Sequence, residues 1–216
     1  MQHVFINGEV AQKIWRHFGI PLGINTQQST FSPKSIIVCW KLPTGGNYQL
    51  NIDGSFKSAN VNVGIGGILR NEEGNMVLGF SVPIQCASNI EAEAMAAKYG
   101  INLCIQKNYS RFMLEVDSTV LVQMINDNKS LNYYLNWIME DIKEKKIQAN
   151  IKVEHCFREA NRVADYLAKN AAGSQNFTLY DSYQQLPVGA KGLFQLDKSQ
   201  MPSIRIKYDK ASFFVS

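Results

Sequence analysis

Long apolar runs are missing from this 216-residue chain. None approaches the roughly 20 residues that a membrane helix requires, so no spanning helix is expected. A secretion signal is missing too: Met1-Gln2-His3-Val4-Phe5 soon meets Glu9, Lys13 and Arg16, without a charged segment followed by an apolar one. Cysteine is sparse. Cys39, Cys86, Cys104 and Cys156 lie too far apart for a zinc spacing or a disulfide framework, which points to a reduced intracellular setting, nucleus or cytoplasm. An excess of one charge is missing from the middle of the chain. Residues 43–171 carry 13 Lys/Arg against 14 Asp/Glu, whereas residues 1–42 and 191–216 are each +3. Basic flanks favour polyanions electrostatically; they also serve solubility.

What is present is 45% apolar residues, ample for one core and its flanks. The stretch Asn25–Lys34, rich in Gln, Ser and Thr, reads as a linker after a short helix over Val10–Phe18. Pro43-Thr44-Gly45-Gly46 marks a boundary. The chain therefore divides into residues 1–42, an N-terminal remnant and linker; 43–172, the folded domain; and 173–216, an extended basic tail.

Within the domain, Tyr48, Leu50 and Ile52 alternate with Gln49, Asn51 and Asp53, a half-buried strand. Val61–Leu69 and Met76–Val82 follow as strands across a turn at 71–75, suggesting an antiparallel meander. The period then changes. Ile90, Ala94, Ala97, Ile101 and Cys104 form a helix stripe, capped by Ser88 or Asn89. Arg111–Val116 is a fourth strand, Thr119–Asp127 and Asn132–Lys145 are helical, Ile151–Phe157 is a fifth strand, and Ala160 to Ala171 mark a last helix. The order βββαβααβα predicts one mixed sheet flanked by helices, an α/β fold.

Acids recur at strand ends or on helices beside small and apolar residues. They are Asp53 in Asn51-Ile52-Asp53-Gly54-Ser55, Glu91 and Glu93 in Glu91-Ala92-Glu93-Ala94, Glu115 and Asp117 in Glu115-Val116-Asp117-Ser118, and Asp165 in Asn161-Arg162-Val163-Ala164-Asp165. A charge near a core loses its water and is costly unless held. A divalent cation suits hard oxygen ligands. Each acid also has an ordinary reading. Asp53 can open a turn. Glu91 and Glu93 suit a helix's first turn, and Glu93 lies nearer the apolar stripe. Asp117 or Ser118 can cap the next helix. Asp165 can pair with Lys169. Gly54 and Ser55 allow backbone to approach a ligand closely.

Taken together, these motifs resemble the type-one ribonuclease H domain of plant retroelement reverse transcriptases (non-LTR type) and their domesticated relatives. The resemblance covers about Tyr48 to Ala172 and includes Ile68-Leu69-Arg70 after the glycine pair and Arg158-Glu159-Ala160 before Asn161. It implies a ribonuclease H-like mixed five-stranded sheet, three antiparallel strands then two parallel, flanked by helices. It implies that Asp53, Glu93, Asp117 and Asp165 bind two metal ions, Mg²⁺ or Mn²⁺. His155 falls at the place of the family's mobile histidine, which aids proton transfer or product release. Ser88 and Asn89 fall where polar groups touch the hybrid's minor groove. The activity implied is endonucleolytic cleavage of the RNA strand of an RNA–DNA hybrid by two ions about 4 Å apart, RNA being told from DNA by its 2′-hydroxyls. A monomer with no small-molecule cofactor and no membrane partner is expected.

The sequence departs from the family in places. No basic substrate-gripping extension is evident; Lys143, Lys145, Lys146 and Lys152 are a reduced version or a solvated helix end. Arg158 stands where some relatives carry a second histidine. Residues His3, Phe5 and Trp15 resemble the tail of a preceding zinc module, but Gly8 occupies a ligand place, so a zinc site is not expected. A related exonuclease fold pairs its first Asp with a Glu two residues on, where this chain has Ser55. The run Gly64-x-Gly66-Gly67 leads into a strand, which excludes dinucleotide binding. The remaining alternative is a domesticated, catalytically weak or inactive module for nucleic-acid or protein interaction.

Overall fold

A computed structural model describes residues 34–56, 58, 62–127 and 135–207. The chain divides into two compact units, residues 37–205 and residues 1–36 with 206–216. The second unit enters the described residues only at the ends of two strands. The helix expected over Val10–Phe18 and the segment around His3 lie outside the described residues.

The strands are β1 (Lys34–Val38), β2 (Tyr48–Ser55), β3 (Val63–Arg70), β4 (Met76–Ile84), β5 (Phe112–Val116), β6 (Lys152–His155), β7 (Thr178–Tyr180) and β8 (Ser203–Lys207). The helices are α1 (Asn89–Gln106), α2 (Thr119–Asn126), α3 (Asn136–Gln148), α4 (Arg162–Ser174) and α5 (Val188–Lys198), with 3₁₀ turns at Arg158–Ala160 and Tyr183–Gln185. One sheet runs β6-β5-β2-β3-β4-β7, and β1 with β8 forms a two-stranded sheet. β2, β3 and β4 are antiparallel neighbours; β5 and β6 continue the sheet in parallel with β2. The expected five strands are therefore present in the expected senses. β7 adds a sixth, antiparallel to β4.

The period-two pattern of β2 sets the two faces. Leu50 and Ile52 are fully buried in the core shared with Ala94, Ala97, Ile101 and Cys104 of α1. Each buried aliphatic side chain of this kind contributes about 1.5–3 kcal/mol. Helix α1 starts where the sequence places it. Ser88 Oγ accepts from Glu91 N at 3.3 Å, and Glu91 Oε2 accepts from Ala87 N at 2.9 Å, so Glu91 serves the helix start in the manner of a capping box. On the other sheet face α4 lies against β3. The glycines of β3 make this possible: a Cβ at Gly64 or Gly66 would collide with backbone of Ala168. The glycine run is thus a helix-packing surface.

The C-terminal segment corrects the sequence reading, which gives an extended tail beyond residue 172. Helix α4 runs to Ser174, β7 joins the sheet, and α5 follows. Leu186, Ala190 and Phe194 share a core with Ile68, Val163, Leu167 and Tyr180. Ala190, Phe194 and Asp197 are spaced by 4 and 3, a helix stripe, yet Gly189, Gly192 and a charged member disguise it. Asp197 is 1% exposed and is held by Arg70 Nη1 at 3.0 Å and Arg162 Nη2 at 3.4 Å. Three residues of β7 are too few for a period to show.

Candidate active site

The acids singled out in the sequence come from four elements. Asp53 sits near the C-terminal end of β2, Glu93 in the first turns of α1, Asp117 just past β5, and Asp165 in the first turn of α4. Sheet pairing brings β2 and β5 side by side, with Asn51 opposite Glu115. Asn161, fully buried, donates from Nδ2 to Ile52 O at 2.9 Å. That bond pins the start of α4 to the residue before Asp53.

Asp53 is 4% exposed. Burial pushes its carboxyl from the ordinary 3.8 up to about 8, and the charges of Asp117, Asp165 and Glu93 push the same way, against Arg158. Three acids remote in sequence thus act on one carboxyl. Glu93 is 6% exposed. Its Oε1 accepts from Asn89 Nδ2 at 2.7 Å, while Oε2 is buried without a hydrogen bond among the described residues. Burial raises the Glu93 carboxyl and the charge of Asp117 adds to the rise, while side-chain hydrogen bonding from Ser118 and Asn89 and the charge of Arg158 oppose it. An unpaired buried carboxylate oxygen is expensive.

Asp117 and Asp165 already have cations. Arg158 Nε lies 3.3 Å from Asp117 Oδ2, and Lys169 Nζ lies 2.6 Å from Asp165 Oδ2, the i, i+4 pair open to it in the sequence. Among the described residues no group of three His, Cys, Asp or Glu side chains is placed to hold a metal ion. Added positive charge, such as a hard cation held by carboxylate oxygens, would relieve Asp53 and Glu93, whose carboxyls are pushed up first by burial and then by neighbouring acids.

A cleft of about 390 Å³ opens here, lined in part by Glu93, Asp117, His155, Phe157, Arg158 and Arg205. His155 is the last residue of β6, pairs with Val116 and is exposed, its ring edge-on to Phe157 with centroids 5.6 Å apart. Ser88 and Asn89 are both engaged within the chain, Ser88 as the cap of α1 and Asn89 on Glu93. Ser118 caps α2, its Oγ accepting from Leu121 N at 3.4 Å. The close approach allowed by Gly54 is to α1: a Cβ there would stand 2.6 Å from the Ala92 carbonyl carbon.

Sequence reasoning missed the polar network behind the site. Asn51 Oδ1 accepts from Trp40 Nε1 at 3.2 Å and Arg70 Nη2 at 3.4 Å, while its Nδ2 donates to Glu115 Oε2 at 2.8 Å. The Arg70 guanidinium lies 4.0 Å from the centroid of the Trp40 ring. Burial raises the Glu115 carboxyl, and the Asn51 hydrogen bond opposes the rise. The signal for this network was the alternation that sends Gln49, Asn51 and Asp53 to one face. Arg205 was also missed, because nothing in its local sequence marks it.

Residues 51–171 match the family model described as reverse transcriptase-like. The chain is 31% identical over 137 residues to an Arabidopsis thaliana protein named "Putative ribonuclease H protein"; the alignment covers 62% of this chain and 22% of that protein, so the chain spans about a fifth of that relative's length. Among solved structures, the N-terminal ribonuclease H domain of a Mycobacterium tuberculosis protein, fused to maltose-binding protein, superposes with a TM-score of 0.56 at 19% identity, covering 60% of this chain and 96% of that one. LC11-RNase H1, isolated from compost, gives 0.55 at 22% identity, covering 61% and 99%. The same enzyme in complex with an RNA/DNA hybrid gives 0.54 at 21% identity, covering 60% and 99%. The fold is that of ribonuclease H.

Proposed function

The chain belongs to the reverse transcriptase-like family, and on that premise we propose that it is a metal-dependent endonuclease cleaving the RNA strand of RNA–DNA hybrids. The reading is supported chiefly by Asp53, buried near the C-terminal end of β2, whose carboxyl feels the charges of Asp117, Asp165 and Glu93 from three other elements. Ligands collect at such strand ends in α/β sheets. The ribonuclease H name of the Arabidopsis relative and the hybrid bound to LC11-RNase H1 support the substrate class.

Asp53, Glu93, Asp117 and Asp165 would hold the ions, Mg²⁺ or Mn²⁺. Bound there, two such ions supply an activated water and stabilise the leaving oxygen of a phosphodiester. The chain's own residues do the rest. Asp53 would have to give up its proton to serve as a ligand. Asp117 and Asp165 would hold the ions in place of Arg158 and Lys169, leaving those two cations free for the substrate's phosphates. Asn89 and Asn161 hold Glu93 and β2 in place. His155, exposed at the cleft, would move a proton or assist product release. Ser88 and Asn89, on the α1 side, are proposed to face the minor groove.

The test is cleavage of an end-labelled RNA–DNA duplex with and without Mg²⁺. Mg²⁺-dependent internal cuts confined to the RNA strand are expected; intact RNA after long incubation would contradict the proposal. The second reading, an inactive binding module, is favoured by the cations already seated on Asp117 and Asp165. Hybrid binding without any product would select it.

A further inference from the structure

Arg205 lies outside the residues matched by the family model, yet it lines the same cleft as Glu93, Asp117 and His155. Its position is well defined. Nη1 donates to Glu159 Oε2 at 3.0 Å and Oε1 at 3.4 Å, and the guanidinium carbon lies 4.9 Å from the centroid of the Phe157 ring. The side chain is still 36% exposed, and its hydrogen bonds within the described residues all leave from Nη1. Arg158 reaches the cleft from the 3₁₀ turn, 74% exposed, with Nε on Asp117. Two guanidinium groups thus line the same cleft as Glu93 and Asp117.

A nucleic-acid strand approaching four carboxylates is repelled unless positive charge lies beside them. None of the lysines singled out in the sequence, Lys143, Lys145, Lys146 and Lys152, is among the residues lining the cleft. A guanidinium fork matches phosphate geometry and carries its charge at every relevant pH. We propose that the Arg158–Arg205 side of the cleft is a phosphate-binding subsite, in which Arg205, supplied by the C-terminal segment, grips the nucleic-acid backbone next to the acid cluster. Glu159 holds Arg205 ready and yields it when a phosphate arrives. The choice of nucleic acid as ligand rests on the nuclease reading; the placement of the two arginines does not.

The experiment uses the full 216-residue chain. Binding of a fluorescent RNA–DNA hybrid is followed by anisotropy in EDTA over a range of salt concentrations, and cleavage in Mg²⁺ is measured alongside. Arg205→Ala is expected to weaken binding about five- to tenfold and to reduce the slope of log K against log salt by about 0.9, the signature of one lost phosphate contact. Arg205→Lys keeps the charge and is expected to keep the slope. Glu159→Gln, which releases Arg205, is expected to bind no more weakly than the wild type. An unchanged affinity and slope for Arg205→Ala would overturn the subsite. So would a loss in Glu159→Gln equal to that in Arg205→Ala, which is what a purely structural strut would show. If the wild type binds the hybrid but never cuts it, the nuclease reading fails and the slopes still decide the subsite. If the wild type binds no hybrid at any salt, both fail.

Discussion

Arg70 and Asp197 stand 127 residues apart in sequence and form an ion pair at 3.0 Å in which both side chains are 1% exposed. The pair ties the last helix of the domain to the strand that faces β2. The same guanidinium stacks on Trp40 and reaches Asn51, two residues before Asp53. Removing one partner leaves the other as an unpaired buried charge, the expensive half of a buried ion pair. Asp197→Ala is therefore expected to destabilise the fold by about 3–5 kcal/mol, measured by urea unfolding. Replacing both with apolar residues of similar volume is expected to be milder than the single change. A single variant within 1 kcal/mol of wild type, as roughly estimated from exposed pairs, would show that the pair is not buried as described.

Asp53→Asn and Asp117→Asn each remove one carboxylate from the cluster while keeping its shape. Each is expected to lower Mg²⁺-dependent turnover by more than about 10²-fold, the scale seen when one preorganised transition-state contact is lost. The folded state should survive, as checked by circular dichroism. Full turnover by either variant would remove it from the catalytic set.

The Asp53 carboxyl also sets a pH dependence. Its folded pKa is raised from 3.8 to about 8, so the folded state holds this proton more tightly than the unfolded chain. Stability in the presence of a chelator is therefore greatest below the unfolded value, near 4, and falls as pH rises through the window up to about 8. Asp53→Asn removes the slope and is expected to be the more stable protein at pH 8, by on the order of 1 kcal/mol or more. Mg²⁺ should stabilise the wild type at that pH and do less for the variant. A wild type that gains stability between pH 5 and 8 in the chelator would contradict the burial of this carboxyl among other acids.

Gly54→Ala tests how the site is spaced. The added methyl would stand 2.6 Å from the Ala92 carbonyl carbon and 2.7 Å from Glu93 N, both backbone atoms that cannot swing aside. The helix must move away from β2, at a cost of about 1–3 kcal/mol. Because Glu93 moves with it, turnover is expected to fall further than hybrid affinity. Equal stability and turnover would mean that α1 and β2 are less closely packed.

The order of elements was legible because long periods announce themselves. The stripe Ile90–Ala94–Ala97–Ile101–Cys104 became one face of α1, and the alternation of Tyr48–Asp53 became β2. The candidate acids were legible because each stands in a motif, and Ser88 and Ser118 were legible as caps. Gly64 and Gly66 were read for what they exclude; only the packed fold shows α4 seated on them.

By itself the sequence determined the fold class and the family and singled out the candidate acids, since periodicity and short motifs are local properties that survive being read one stretch at a time. Tertiary structure decided that Arg158 meets Asp117, that residues beyond 172 complete the second core, and that Asp197 and Arg205 have buried or cleft-lining roles. Those outcomes depend on groups brought together from more than 40 residues apart, Arg70 with Asp197, Arg158 with Asp117 and Arg205 with Glu159. No local pattern encodes such pairings, because burial and partner alone set the energy of a charge.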